Sequence, residues 1–139
     1  MKKRESIKHI MTKDVTTLNV TDSLESAEAI MKKNKIRHIP VVSGTKLVGM
    51  LSLTDLMRIS FVDNYSEDEG MVDTAVYSIL SIPKVMVNNP ESVTTDFTIK
   101  EVAELLAEKE YHALPVVENG NLVGIVTTTD LIKYLLEQY

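Results

Sequence analysis

A shift of 75 residues lays the second half of this chain on the first without a gap. Four blocks fall in that one register. Met11 lands on Met86, and Pro40-Val41-Val42 on Pro115-Val116-Val117. Leu47-Val48-Gly49 lands on Leu122-Val123-Gly124, and Thr54-Asp55-Leu56 on Thr129-Asp130-Leu131. A fixed internal period means that one supersecondary unit is built more than once, so the fold must make the same unit from both halves.

The unit can be read from either copy. Val15–Val20 reads as a short extended segment, with Glu91–Thr95 as its copy. Leu24, Ala27, Ile30 and Met31 then recur at helical spacing, as do Ile99, Val102, Leu105 and Leu106. Asp22 with Glu25, and Thr98 with Glu101, have the spacing of a helix-start capping box. Two strands follow, Ile39–Val42 and Leu47–Ser52, around Ser43-Gly44-Thr45-Lys46. Their copies are Leu114–Val117 and Leu122–Thr127, around Glu118-Asn119-Gly120-Asn121. Asn-Gly is a turn signal because both residues tolerate positive φ. A second helix closes each copy, near Thr54–Ser60 and Thr129–Gln138.

The order β-α-β-β-α, made twice, predicts an α+β fold. One unit of about 50 residues buries too little surface to stand alone. The expectation is therefore two repeats packed sheet to sheet as a pseudo-two-fold pair, with helices outside. The boundaries read as repeat one with its lead-in over 1–61, an acidic connection over 62–71 and repeat two over 72–139. Val72–Leu80 reads as a short helix in the role that Glu5–Ile10 plays for repeat one.

Composition removes several function classes. The absence of cysteine among 139 residues excludes disulfides, thiolate metal sites and a cysteine nucleophile, and fits a cytoplasmic protein. A net charge of −5 opposes nucleic-acid phosphate. No apolar run approaches the roughly 20 residues that span a bilayer. The basic start, Met1–Arg4, is followed by no apolar stretch, so neither a signal peptide nor a membrane partner is expected. His9 has no partner at metal-ligand spacing, and no nucleophile elbow, P-loop or dinucleotide glycine motif occurs. The reading is of a protein that is not an enzyme, with no metal and no required cofactor.

Gly49-Met50-Leu51-Ser52-Leu53-Thr54-Asp55 and Gly124-Ile125-Val126-Thr127-Thr128-Thr129-Asp130 share the pattern Gly-x-x-Ser/Thr-x-Thr-Asp. His38-Ile39-Pro40-Val41-Val42 and Ala113-Leu114-Pro115-Val116-Val117 open the strand pair, after lead-ins Ile10-Met11-Thr12 and Val85-Met86-Val87. With these motifs, the chain from about Ile7 to Leu136 resembles a tandem pair of CBS (cystathionine β-synthase) domains. The resemblance implies a disc-like pair with clefts between the repeats that hold AMP, ADP, ATP, S-adenosylmethionine or a related adenosyl ligand. It implies a regulatory module, whose output is expected to act in trans or through assembly.

The candidate residues fit that chemistry. A carboxylate accepts from both ribose hydroxyls, which suits Asp55 and Asp130. Thr54 and Thr129, with the motif residues Ser52 and Thr127, offer hydroxyls beside a helix start that favours an anion. Thr-Asp at a helix start equally suits a cap. Gly49 and Gly124 would let backbone approach a ligand closely. The resemblance puts Arg37, His38 and His112 on phosphates; Ala113 stands where His38 stands, a departure that weakens a second charged site. The slot for the base is expected from Val15, Thr16, Thr17, Ile39 and Pro40, with Pro90, Glu91, Ser92, Leu114 and Pro115 as the copies. Met57, Ile59, Phe61, Ile132, Tyr134, Leu135, Leu136 and Tyr139 read as an apolar helix surface for a homodimer. The other reading is an assembly module that binds no nucleotide.

Overall fold

The computed structural model describes residues 4–63, 79–109 and 111–139, with backbone only over 60–63. The fold is mixed α and β. After a 3-10 turn at Ile7–His9 come β1 (Leu18–Asn19), α1 (Leu24–Asn34), β2 (His38–Ser43), β3 (Lys46–Ser52) and α2 (Leu53–Asp63). Then follow α3 (Ile82–Val85), β4 (Val87–Asn88), α4 (Ile99–Lys109), β5 (Ala113–Glu118), β6 (Asn121–Thr127) and α5 (Thr128–Glu137). Because α2 runs to Asp63, it takes in the first two residues of the expected connection. The rest of 62–71, and the expected helix Val72–Leu80 up to its last two residues, lie outside the described residues.

Local chemistry explains most element ends. At α4 the capping box forms: Glu101 N–H donates to Thr98 Oγ1 at 3.1 Å, and Thr98 N–H donates to Glu101 Oε1 at 3.1 Å. At α1 the expected Asp22–Glu25 box does not. Asp22 instead closes the turn after β1, where its Oδ2 accepts from Asn19 N–H at 2.9 Å. Ser23 becomes the cap, accepting from Ser26 N–H at 3.0 Å. The Asn119-Gly120 turn has positive φ at both residues, 54° and 82°, as a tight hairpin demands.

The chain forms two compact units, and they are not the two halves of the sequence. One unit holds Thr16–Gly44 and Val48–Pro90. There β1 runs parallel to β2, with Leu18 opposite Val41, and β4 runs antiparallel to β3, with Met50 opposite Val87. Four consecutive buried residues, Ile39 to Val42, show that β2 is covered on both faces. The core joins Leu18, Leu24, Ala27, Met31, Ile39, Leu51 and Leu56 of repeat one to Ile82 and Met86 of the lead-in to repeat two.

The other unit holds Met1–Val15, Thr45–Leu47 and Glu91–Tyr139. The β5–β6 hairpin is its frame. The two pairings above recur at +75: Val93 bridges Val116 in parallel, and Thr12 bridges Ile125 antiparallel. The extended segments expected over Val15–Val20 and Glu91–Thr95 thus shrink to two paired residues and one. The core joins Val93, Ile99, Val102, Leu106, Leu114, Val116 and Val126 to Ile7, which comes from the lead-in to repeat one. Each repeat therefore completes its core with the lead-in that stands before the other.

This exchange accounts for the motif glycines. A Cβ on Gly49 would collide with the Met86 side chain, whose Cε and Cγ would lie 2.8 and 2.9 Å away. A Cβ on Gly124 would meet Met11 Sδ at 2.8 Å and the Thr12 carbonyl oxygen at 3.0 Å. The close approach expected of a ligand at these glycines is made by a lead-in methionine instead. Met11 and Met86 recur at one spacing because each packs on the other repeat's glycine.

One residue of the expected dimer surface turns inward. Tyr134 is 8% exposed, belongs to the core, and its hydroxyl donates to Glu5 Oε2 at 2.6 Å. Met57, Ile132, Leu135, Leu136 and Tyr139 are exposed. Ile59 is half-buried, and Phe61 falls in the backbone-only stretch.

Candidate functional site

The Ser/Thr-x-Thr-Asp end of each motif is a strand-to-helix junction, and the same bonds build it in both units. Ser52 is the last residue of β3 and caps α2: Asp55 N–H donates to Ser52 Oγ at 3.1 Å, and Ser52 N–H donates to Asp55 Oδ2 at 3.0 Å. Thr127 caps α5 likewise. Asp130 N–H donates to Thr127 Oγ1 at 3.2 Å, and Thr127 N–H donates to Asp130 Oδ2 at 2.9 Å. Both aspartates thus occupy the third helical position of a reciprocal box, and the cap is the Ser or Thr three residues earlier.

A second bond ties the residue before the inner strand to each helix start. Leu53 N–H donates to the Arg37 carbonyl at 2.8 Å, and Thr128 N–H donates to the His112 carbonyl at 3.1 Å. Of the four amides that a helix start leaves unpaired, three are thereby engaged: that of the cap, that of the first helical residue and that of the aspartate. The amide between them, on Thr54 or Thr129, has no partner among the described residues, and the hydroxyls of these exposed threonines are also unpaired. What each junction offers is one amide and one hydroxyl, with the helix dipole behind them.

The carboxylates keep capacity as well. An ionised carboxylate has about four acceptor sites, and the box uses only Oδ2. Asp55 Oδ1 lies 3.7 Å from Arg58 Nη1, an arginine whose side chain is 73% exposed, so the pair is worth little. Asp130 Oδ1 has no partner among the described residues.

The remaining candidates divide by depth. Arg37 and His112 are exposed and His38 is half-buried, all at the junction end of β2 or β5. Ile39 and Leu114 are 0% and 1% exposed and belong to the two cores, and Pro40 and Pro115 are buried beside them. Extending the parallel register of Leu18 with Val41 sets Thr16 and Thr17 beside Ile39 and Pro40. The register of Val93 with Val116 sets Ser92 beside Pro115 in the same way, and Ser92 is half-buried. Thr16, Thr17, Arg37, His38, Ser52, Thr54 and Asp55 thus gather in one unit, and Ser92, His112, Thr127, Thr129 and Asp130 in the other.

Sequence reasoning missed Arg58 and its copy Lys133. Each lies three residues after the motif aspartate, one helical turn away, so the spacing alone could have found them. Among the described residues, no group of three or more His, Asp or Glu side chains could hold a metal ion. None of the described helices is long and apolar enough to cross a membrane.

Comparison with known proteins agrees with this duplicated architecture. The family model for the CBS domain matches twice, over residues 7–61 and 81–137. The CBS domain-containing protein YhcV of Bacillus subtilis is 31% identical over 126 residues, which cover 91% of this chain and 82% of that one. An inosine-5′-monophosphate dehydrogenase of Korarchaeum cryptofilum is 32% identical over 120 residues, 86% of this chain but 22% of the enzyme. The chain spans only 33% and 47% of two further relatives. Among solved structures, the CBS domain pair of protein MJ0100, in complex with 5′-methylthioadenosine and S-adenosyl-L-methionine, superposes with a TM-score of 0.75. That pair is 25% identical, and the match covers 94% of this chain and 98% of that one.

Proposed function

The chain belongs to the CBS domain family, and from that premise we propose that it is a regulatory module binding an adenosyl ligand, specifically an adenine nucleotide. Its occupancy is reported to a separate protein in trans. The observation that carries this reading is the junction made twice, with spare carboxylate capacity and, at each copy, a threonine hydroxyl and an amide that have no partner among the described residues. In this reading Asp55 and Asp130 accept from ribose hydroxyls through lone pairs that the caps leave over. Thr54 and Thr129 donate to phosphate through hydroxyl and amide, Arg37 supplies the cationic contact, and His38 and His112 add ring N–H donors. The base lies against Thr16, Thr17 and Pro40, or Ser92 and Pro115. Ile39 and Leu114 serve through backbone groups, since their side chains are buried in the cores. The adenosyl ligands bound by the MJ0100 pair support the ligand class. No reaction is assigned to the chain, and its place is the cytoplasm.

Exposed apolar helix residues in each unit favour association as well. Ile132 and Leu136 of α5 are 57% and 66% exposed in one unit, and Met57 of α2 is 61% exposed in the other. A closed two-fold dimer is the commonest way to bury such helix faces, and it is the assembly proposed. Thermal unfolding with AMP, ADP, ATP and S-adenosylmethionine tests the ligand reading. A compound held only by the folded chain at 100 times its Kd stabilises by about 2.7 kcal/mol, a rise on the order of 10 °C. Melting curves unmoved by all four would refute nucleotide sensing and favour the assembly module.

A further inference from the structure

The two junctions share a backbone plan but not a charge. In the first unit Arg37 and His38 lead into β2, Thr16 stands two residues before the parallel pairing of β1 with β2, and Arg58 stands one turn beyond Asp55. Counting histidines as neutral, two arginines against one aspartate leave this junction with a surplus positive charge. The equivalent positions in the second unit are His112, Ala113, Glu91 and Lys133, around Asp130. One lysine against two carboxylates makes the surplus negative. Where phosphates would lie, Arg37 becomes His112 and His38 becomes Ala113, and at the slot for the base Thr16 becomes the exposed acid Glu91.

We infer that the two junctions take different ligand classes: the Arg37 junction a nucleotide carrying a phosphate chain, the Glu91 junction an adenosyl compound without phosphate, neutral or cationic. This rests on the proposed binding of adenosyl ligands and adds the selectivity of each site. The physical basis is local. The aspartate–ribose contact is common to both junctions, so it does not discriminate. A phosphate at the second junction meets a surplus of negative charge, Glu91 included, and lacks the charge-assisted donors that Arg37 provides. A sulfonium or amine in the same position gains the attraction that a phosphate loses. A chain built in this way responds separately to a phosphorylated and an unphosphorylated adenosyl pool.

Equilibrium dialysis with ATP and adenosine tests the assignment on the intact chain. One ATP per chain is expected to bind tightly, with any second ATP weaker by about tenfold or more. With ATP saturating, one adenosine per chain still binds. Arg37→Ala lowers ATP affinity about tenfold or more and leaves that adenosine site unchanged. Glu91→Thr, His112→Arg and Ala113→His together copy these positions of the first junction onto the second and raise tight ATP binding toward two per chain. A melting curve like that of the wild type shows that this triple variant is folded. Two equivalent ATP sites in the wild type, or adenosine fully displaced by ATP, overturns the assignment and leaves adenosyl binding standing. If neither compound binds, both readings fall.

Discussion

Ile7→Ala probes the exchange of lead-ins, the feature of the fold that chain order hides. Ile7 is 0% exposed and sits in a core whose other members run from Val93 to Tyr134. Its N–H donates to the Phe97 carbonyl at 3.1 Å, and Ile99 N–H donates to the Glu5 carbonyl at 2.8 Å, so the backbone holds the side chain in place. Thr12 and Ile125 exchange two further bonds at 2.8 and 3.0 Å, so the segment is anchored at both ends and cannot slide to fill the space. Removing the isoleucine atoms should therefore leave a cavity and cost about 2–5 kcal/mol. Against a typical domain stability of about 5–15 kcal/mol, the urea midpoint should fall by on the order of 1–2 M. Hydrogen exchange read by mass spectrometry locates the damage. Amides of α4, β5 and β6 should lose protection before those of α1 and β2, although Ile7 is far closer to α1 in sequence. A loss under about 1 kcal/mol, or protection lost first in α1, would refute the exchange.

Gly49→Ala should cost about 1–3 kcal/mol by overpacking against Met86, and Met86→Ala added to it should cost less than the sum of the two single changes. Strict additivity in urea unfolding would count against that contact. Thr127→Ala removes the α5 cap and should cost about 0.5–2 kcal/mol, whereas Thr129→Ala, two residues on, should stay within about 0.5 kcal/mol of the wild type. Equal losses would mean that the capping box does not stabilise the junction. Light scattering should give about twice the 15.6 kDa chain mass for the wild type and one chain mass for Leu136→Asp. A wild type that reads as a single chain contradicts the dimer.

The elements were legible because both copies wrote them in the same register. The helical spacing of Leu24, Ala27 and Met31 and the Asn119-Gly120 turn carry local physics that no packing partner overrides. Asp22 and Ser23 are both good caps by residue type, and Ser23 takes the role because the Asp22 carboxylate accepts from Asn19 N–H in the turn that follows β1. The exchange of lead-ins could not be read, since periodicity tells which face of Ile7 is apolar but not which core receives it. At the junction, Asp55 and Asp130 were found by their motif, and the structure adds that each one also closes a cap. Tyr134 looked like a surface residue because its partner, Glu5, lies 129 positions away.

Asp→Asn at both motifs separates the cap from the ligand role, because an asparagine oxygen still accepts the cap bond while the charge is lost. Calorimetric titration of ATP, AMP and S-adenosylmethionine into the wild type and into Asp55→Asn/Asp130→Asn is therefore the most direct test. The account predicts saturable binding of at least one compound by the wild type. It predicts that affinity drops about tenfold or more in the double variant, while the melting temperature without ligand barely moves. Undiminished affinity in the double variant, or no heat from any compound with the wild type, would contradict it.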